Sequence, residues 1–113
     1  RAGWLWLNGG NWNGQQLIPS DYLREATKTN RDVLAQEPEE NWKYGLAFWT
    51  NDHGKLWPDL PRDAFAGAGA GAMHIFACPS LDLVVTQTPG PWGDEGKAGI
   101  QEELLMRVVG AVH

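Results

Sequence analysis

The chain has few of the residues that most often carry chemistry. One cysteine, Cys78, rules out an internal disulfide framework, and its apolar surroundings suit a small buried hydrophobe. Two serines are present, Ser20 and Ser80. Neither lies in a Gly-x-Ser-x-Gly elbow or precedes a Lys by three residues, so neither reads as an activated nucleophile. Phosphate-cradling loops and the paired Cys and His spacings of zinc sites are missing as well, and no metal or cofactor is expected. Nine Lys and Arg stand against 14 Asp and Glu, for a net charge of −5. That balance, with no basic patch, argues against nucleic acid or an anionic membrane surface as partner. No run of 18 apolar residues crosses a membrane, and no charged-then-apolar leader precedes the fold. The first residue is Arg, inside what reads as a helix, so residues 1–113 are expected to be a single, partial domain cut from a longer chain.

What is present has clear local signals. Large apolar residues at 4, 5 and 7 precede Asn8-Gly9-Gly10, a helix end of the left-handed type. Asn13-Gly14 is a tight-hairpin dipeptide. Ser20 is placed to cap a helix over 21–28, with Asp21 and Glu25 near its positive end. Residues 29–40 are polar and charged and read as a solvated loop. From Trp42 to Phe48 bulky and small residues alternate, which predicts a strand. "KLWPDLPRD", with two prolines, predicts a long connection of the kind that walls a site. The Ala-Gly run of 66–72, "HIFACP", a turn at Pro79-Ser80 and "LDLVVTQ" then supply the second and third strands of an antiparallel meander. Beyond "PGPWGDEG", apolar residues at 100, 104, 105, 108, 109 and 112 make a helical stripe for a closing helix on the sheet, with acids early and Arg107 late.

The fold class read from this is α/β in the α+β sense. It has a helix-hairpin-helix start, a small antiparallel sheet of about three strands, and a C-terminal helix packed on it. The histidines, His53, His74 and His113, are far apart, and the pairs Glu39-Glu40 and Glu102-Glu103 diverge on any regular element, so none of them forms a catalytic cluster. Seven tryptophans raise the alternative of a carbohydrate-binding module. Trp4, Trp42, Trp49 and Trp57, however, are interleaved with core-patterned residues, and burial is the expected fate of such rings.

The Ala-Gly run itself is the unusual feature. Such a run reads either as a flexible linker or as a strand in which glycine marks a place where another backbone or a ligand comes close. A bare strand can also aim an N–H at a developing oxyanion while leaving room for an acyl group. Taken together, "WLWLNGGNWNGQQLIPSDYLREAT", "WKYGLAFWTND" and "LPRDAFAGAGAGAMHIFACPSLDLVVTQTPG" cover essentially the whole chain. They resemble the C-terminal part of serine hydrolases of the β-lactamase and penicillin-binding-protein superfamily, in the class C-like branch that includes esterases.

The resemblance implies an amide or ester substrate turned over through an acyl-enzyme. In that family the Gly-rich strand carries a Lys-Thr-Gly or His-Thr-Gly motif, followed by the residue whose N–H completes the oxyanion hole. Carried over, Gly67, Ala68 and Gly69 fall on the triplet and Ala70 on the N–H donor, as substrate-binding positions. Gly67 brings no cation and Ala68 no hydroxyl, so carboxylate recognition through this motif is lost and β-lactam turnover is not expected. The family's Ser-x-x-Lys and Tyr-x-Asn motifs do not occur in this chain, which therefore contains no catalytic residue of its own and is expected to be inactive alone. The implied partner is the N-terminal part of the same hydrolase, carrying the nucleophile. Family members are often periplasmic or secreted, and this sequence carries no mark of its own compartment. An inactive remnant is the other alternative that the altered triplet leaves open.

Overall fold

The computed structural model describes residues 1–70, 73–88 and 98–112. Helix α1 (Ala2–Leu7) ends as Asn8-Gly9-Gly10 predicts. The Gly9 N–H donates to the Trp6 carbonyl at 3.1 Å and the Gly10 N–H to the Leu5 carbonyl at 2.9 Å, which satisfies carbonyls that have no further turn to bond. The predicted hairpin follows, β1 (Asn11–Trp12) against β2 (Gln15–Gln16). Its central residues, Asn13 and Gly14, lie at φ +50° and +83°.

Between here and the sheet the structure departs from expectation in three places. Helix α2 is Ser20–Ala26, not 21–28, and Ser20 does not cap it. Pro19 is the capping residue and brings no side-chain bond, and Thr27 ends the helix by donating its hydroxyl to the Leu23 carbonyl at 2.9 Å. The expected loop over 29–40 contains a helix, α3 (Arg31–Gln36), started by Asn30, whose Oδ1 accepts the Asp32 N–H at 2.8 Å. No residue of α3 is buried, so it lacks the apolar stripe by which a helix is read from sequence. The strand expected over 42–48 is not formed. The chain folds back on itself there, with the Gly45 N–H donating to the Phe48 carbonyl at 2.8 Å and the Leu46 N–H to the Ala26 carbonyl at 3.0 Å. The small residues serve that turn: Gly45 is buried against the end of α2, and Ala47 sits at φ +65°.

The sheet has four strands rather than about three, in the order β3 (Trp49–Thr50), β4 (Phe65–Gly69), β5 (Met73–Cys78), β6 (Leu83–Gln87), every pair antiparallel. Residues 66–69 of the Ala-Gly run thus end a strand of their own, and Ala70 follows in a turn. The turn at Pro79-Ser80 is a short 3-10 helix, Pro79–Leu81.

Residues that pair across the sheet share a face. One face carries Ala66, Phe76, Cys78, Leu83 and Val85. It packs with Trp57 from the proline-rich connection and with Leu105 and Val109 of α4 (Ala98–Ala111), as a closing helix predicts. The other face carries Gly67, Ile75, Val84 and Thr86, and α1 lies on it. The approach is close: a Cβ on Gly3 would stand 2.5 Å from Val84 Cγ1 and 2.9 Å from Ile75 Cγ2. The sheet is therefore covered by a helix on each side, the usual way to bury both of its surfaces.

The connection between β3 and β4 is tied down by Asn51, which is fully buried. Its Nδ2 donates to the carbonyls of Trp57, Leu60 and Pro61 at 2.9, 3.2 and 3.0 Å, and its Oδ1 accepts the Trp57 N–H at 2.8 Å. At the other end of the connection, Asp63 accepts the Ser80 N–H at 2.6 Å and the Ser80 hydroxyl at 2.8 Å. A buried group whose partner is deleted costs about 1–3 kcal/mol. Asn51→Ala is therefore expected to destabilise the chain by about 3 kcal/mol in a urea titration. A change below about 0.5 kcal/mol would mean that the connection holds its shape without Asn51.

Candidate functional site

Gly67 is small because Trp6 lies on it. A Cβ at position 67 would stand 3.0 Å from Trp6 Cη2, closer than side chains normally pack. The indole is held in place by aromatic edges, with Phe48 at 4.9 Å between ring centroids and 89° between planes and Phe65 at 6.3 Å. The first residue of the expected triplet is thus partly covered by a helix side chain. Ala68, Gly69 and Ala70 are exposed, and a Cβ on Gly69 would meet only Met73, at 3.7 Å, an ordinary contact.

A cleft of about 550 Å³ opens beside this strand end. Trp6 and Phe48 form one wall, Gly67 and Gly69 the floor, and Met73 and Ile75 the far side. Thr86, Gln87 and Thr88 add polar atoms at the end of β6, and none of the cleft's residues is Asp, Glu, Lys or Arg. The four predicted positions divide accordingly: Gly67, Ala68 and Gly69 line the cleft, and Ala70 follows them in the turn. Gly71 and Ala72, at the end of the Ala-Gly run, lie outside the described residues. So do "PGPWGDEG" at 89–96 and His113.

The hydrogen-bond pattern fixes which peptide groups point where. The Thr50 N–H donates to Lys43, away from β4, so Trp49 is the β3 residue that exchanges backbone bonds with its partner, Ala66. Peptide groups alternate in direction along a strand. Those of Phe65, Gly67 and Gly69 therefore turn toward β5, and that of Ala68 turns outward. Strand β3 reaches only Phe65 and Ala66, so among the described residues the Ala68 N–H has no strand beside it.

The other candidates have structural roles. His74 is paired with Ala68 and Gln87, and its side chain is on the Phe76 face, away from the wall made by Trp6. Its Nδ1 is buried and has no hydrogen-bond partner among the described residues, and burial pushes the imidazole below its ordinary 6.5. Cys78 is buried and its thiol is pushed up, first by burial, with Ser80 and Asp63 beside it. His53 faces Asp52, at 3.6 Å. Lys55 pairs with Glu39 at 3.0 Å and Arg107 with Glu103 at 2.6 Å, both at the surface. Among the described residues no cluster of His, Cys, Asp and Glu could hold a metal ion, and no helix is long and apolar enough to cross a membrane. Of the four tryptophans expected in the core, Trp57 is there; Trp42 is half-buried, and Trp4 and Trp49 are exposed. Trp49 is exposed because its strand is two residues long and lies at the sheet edge against Tyr44.

No protein-family profile matches the chain, and no curated protein is significantly similar to it.

Gly67→Val is expected to lower stability by about 2 kcal/mol through overpacking against Trp6, and Gly69→Val to change it by less than about 0.5 kcal/mol. Thermal or urea unfolding measures both, and equal losses would contradict the geometry. His74 takes up its proton near pH 6.5 in the unfolded chain but only at lower pH in the folded one. Its contribution is thus complete above about pH 6.5 and declines as pH falls below it. His74→Phe should therefore lose less stability than the wild type between pH 7.5 and 5.5. Identical losses would show that His74 is not responsible.

Proposed function

We propose that the chain is the C-terminal part of a β-lactamase-related serine hydrolase. It supplies the strand wall and the oxyanion-hole side of a pocket whose nucleophile belongs to the N-terminal part of the same protein. The observation that carries this reading is the outward Ala68 peptide on a strand edge that no other strand pairs among the described residues, directly beside a cleft floored by Gly67 and Gly69. Such an arrangement suits a reaction in which an incoming serine Oγ bonds to a carbonyl carbon and the carbonyl oxygen becomes an oxyanion. Backbone N–H donors preset around that oxygen stabilise it without any side-chain acid. Ala70 is the donor by resemblance, and it follows β4 in the turn. Collapse of the intermediate breaks the bond to the alcohol or amine, which leaves with the serine proton, and water then releases the acid.

The open sheet edges support an incomplete domain. Among the described residues, β4 has no strand on its outer side beyond Ala66, and β6 has none on its own. Exposed edges of this kind pair readily with further strands. The N-terminal part of the hydrolase is the proposed source, and a small amide or ester the proposed substrate.

The 113-residue chain should not hydrolyse a chromogenic cephalosporin or a p-nitrophenyl ester above a Ser20→Ala, Ser80→Ala control. Joined to the segment encoded immediately upstream of Arg1, it should hydrolyse the p-nitrophenyl ester, and replacing the serine of an upstream Ser-x-x-Lys should abolish that turnover. An upstream sequence without Ser-x-x-Lys, or activity in the chain alone, would overturn the proposal.

A further inference from the structure

The position that resembles the family's cation is filled in this chain by something else. Gly67 contributes no side chain, and the space above it belongs to the indole of Trp6. Trp6 stands edge-to-face with Phe48, and both line the cleft with Met73 and Ile75. A carboxylate entering there would lose its water and gain no cation, since no Lys or Arg lines the cleft. Unpaired charges are costly in such surroundings. An aromatic ring gains from the same walls, because rings pack favourably edge-to-face and a thioether suits a ring edge. Met73 is 47% exposed, and its thioether side chain reaches over the floor at Gly69, where an entering ring would meet it. A cleft of about 550 Å³ lies within the usual range for small-molecule sites.

We infer that this cleft holds the acyl arm of an uncharged, aromatic ester, seated against Trp6 and Phe48 above Gly69, and that it rejects acyl groups bearing a carboxylate. Calling that ligand a substrate rests on the hydrolase reading, whereas its binding does not. The ester carbonyl would then lie toward the open edge at Ala68, and the ring in the cleft.

The test is an NMR titration of the 113-residue chain at pH 7.5 with methyl phenylacetate and, separately, with the phenylacetate anion, following the Trp6 indole N–H and the amides of Ala68 and Gly69. The methyl ester should shift these signals with a Kd on the order of 1 mM, as expected for a fragment of that size. The anion should bind at least about tenfold more weakly. Gly69→Val, in which the new side chain projects into the cleft with only Met73 nearby, should remain folded and also bind the ester at least about tenfold more weakly. Should that variant unfold, Met73→Ala serves instead, with its exposed side chain removed and ester binding weakened. Anion binding as tight as the ester's, undiminished binding in both variants, or no shift with the ester at about 10 mM would overturn the inference. Failure of this titration together with turnover by the longer protein rejects only the aromatic acyl assignment. Successful binding with no upstream Ser-x-x-Lys rejects the hydrolase reading and leaves the ligand site standing.

Discussion

The close seating of α1 on the sheet is the constraint from which the rest of the site follows. It needs two positions without side chains, one on each partner. Gly3 lets the helix backbone come down on Val84 and Ile75, and Gly67 gives Trp6 a flat strand to lie on. With a larger residue at either place the helix would ride higher, and Trp6 would leave Phe48 and Phe65. Packed interiors tolerate such shifts poorly, because small gaps forfeit contacts on every side. The cleft is the space that remains past the edge of Trp6, where the strand continues with small residues and the helix does not follow.

A second constraint holds the opposite side of the sheet. The connection from β3 to β4 has few regular backbone bonds of its own, and Asn51 supplies what they would have supplied. That anchoring brings Trp57 into the core beside Phe76, with ring centroids 5.3 Å apart. At the start of β3 the chain is turning, with Ala47 at φ +65°, so β3 pairs with only Phe65 and Ala66 and, among the described residues, no strand lies beside the next outward peptide along β4. The open edge at Ala68 thus depends on the turn that precedes β3, and on a strand too short to cover its neighbour.

Features set by neighbouring residues were legible in the sequence. Asn8-Gly9-Gly10 and Asn13-Gly14 act through backbone conformations that few other residues adopt, so the helix end and the hairpin could be placed from the letters alone. The meander after Met73 and the closing helix carried strong periodic patterns. Where a pattern had two causes, the reading failed. Small and large residues alternate from Trp42 to Phe48 because Gly45 must tuck beneath α2 and Ala47 must turn, not because two sheet faces alternate. Helix α3 is solvated all round, so its only signal was the cap at Asn30 followed by Asp32. At the site, the Ala-Gly run signalled either a linker or close approach by a backbone or a ligand, and the group that approaches Gly67 is a side chain. That the approaching group is Trp6, from the opposite end of the chain, is a matter of tertiary packing that no local pattern encodes. The same holds for Asn51, which in the sequence is only a polar residue before a proline-rich stretch.

Alternate peptides of one strand have different surroundings, inward to β5 at Gly67 and Gly69 and, at Ala68, outward where no described strand pairs. Amide hydrogen exchange followed residue by residue tests this directly. The account predicts that Ala68 exchanges at nearly the rate of an unstructured peptide while Gly67 and Gly69 on either side are protected. Slow exchange at Ala68, equal to that of its two neighbours, would show that another group covers the edge and would contradict the account.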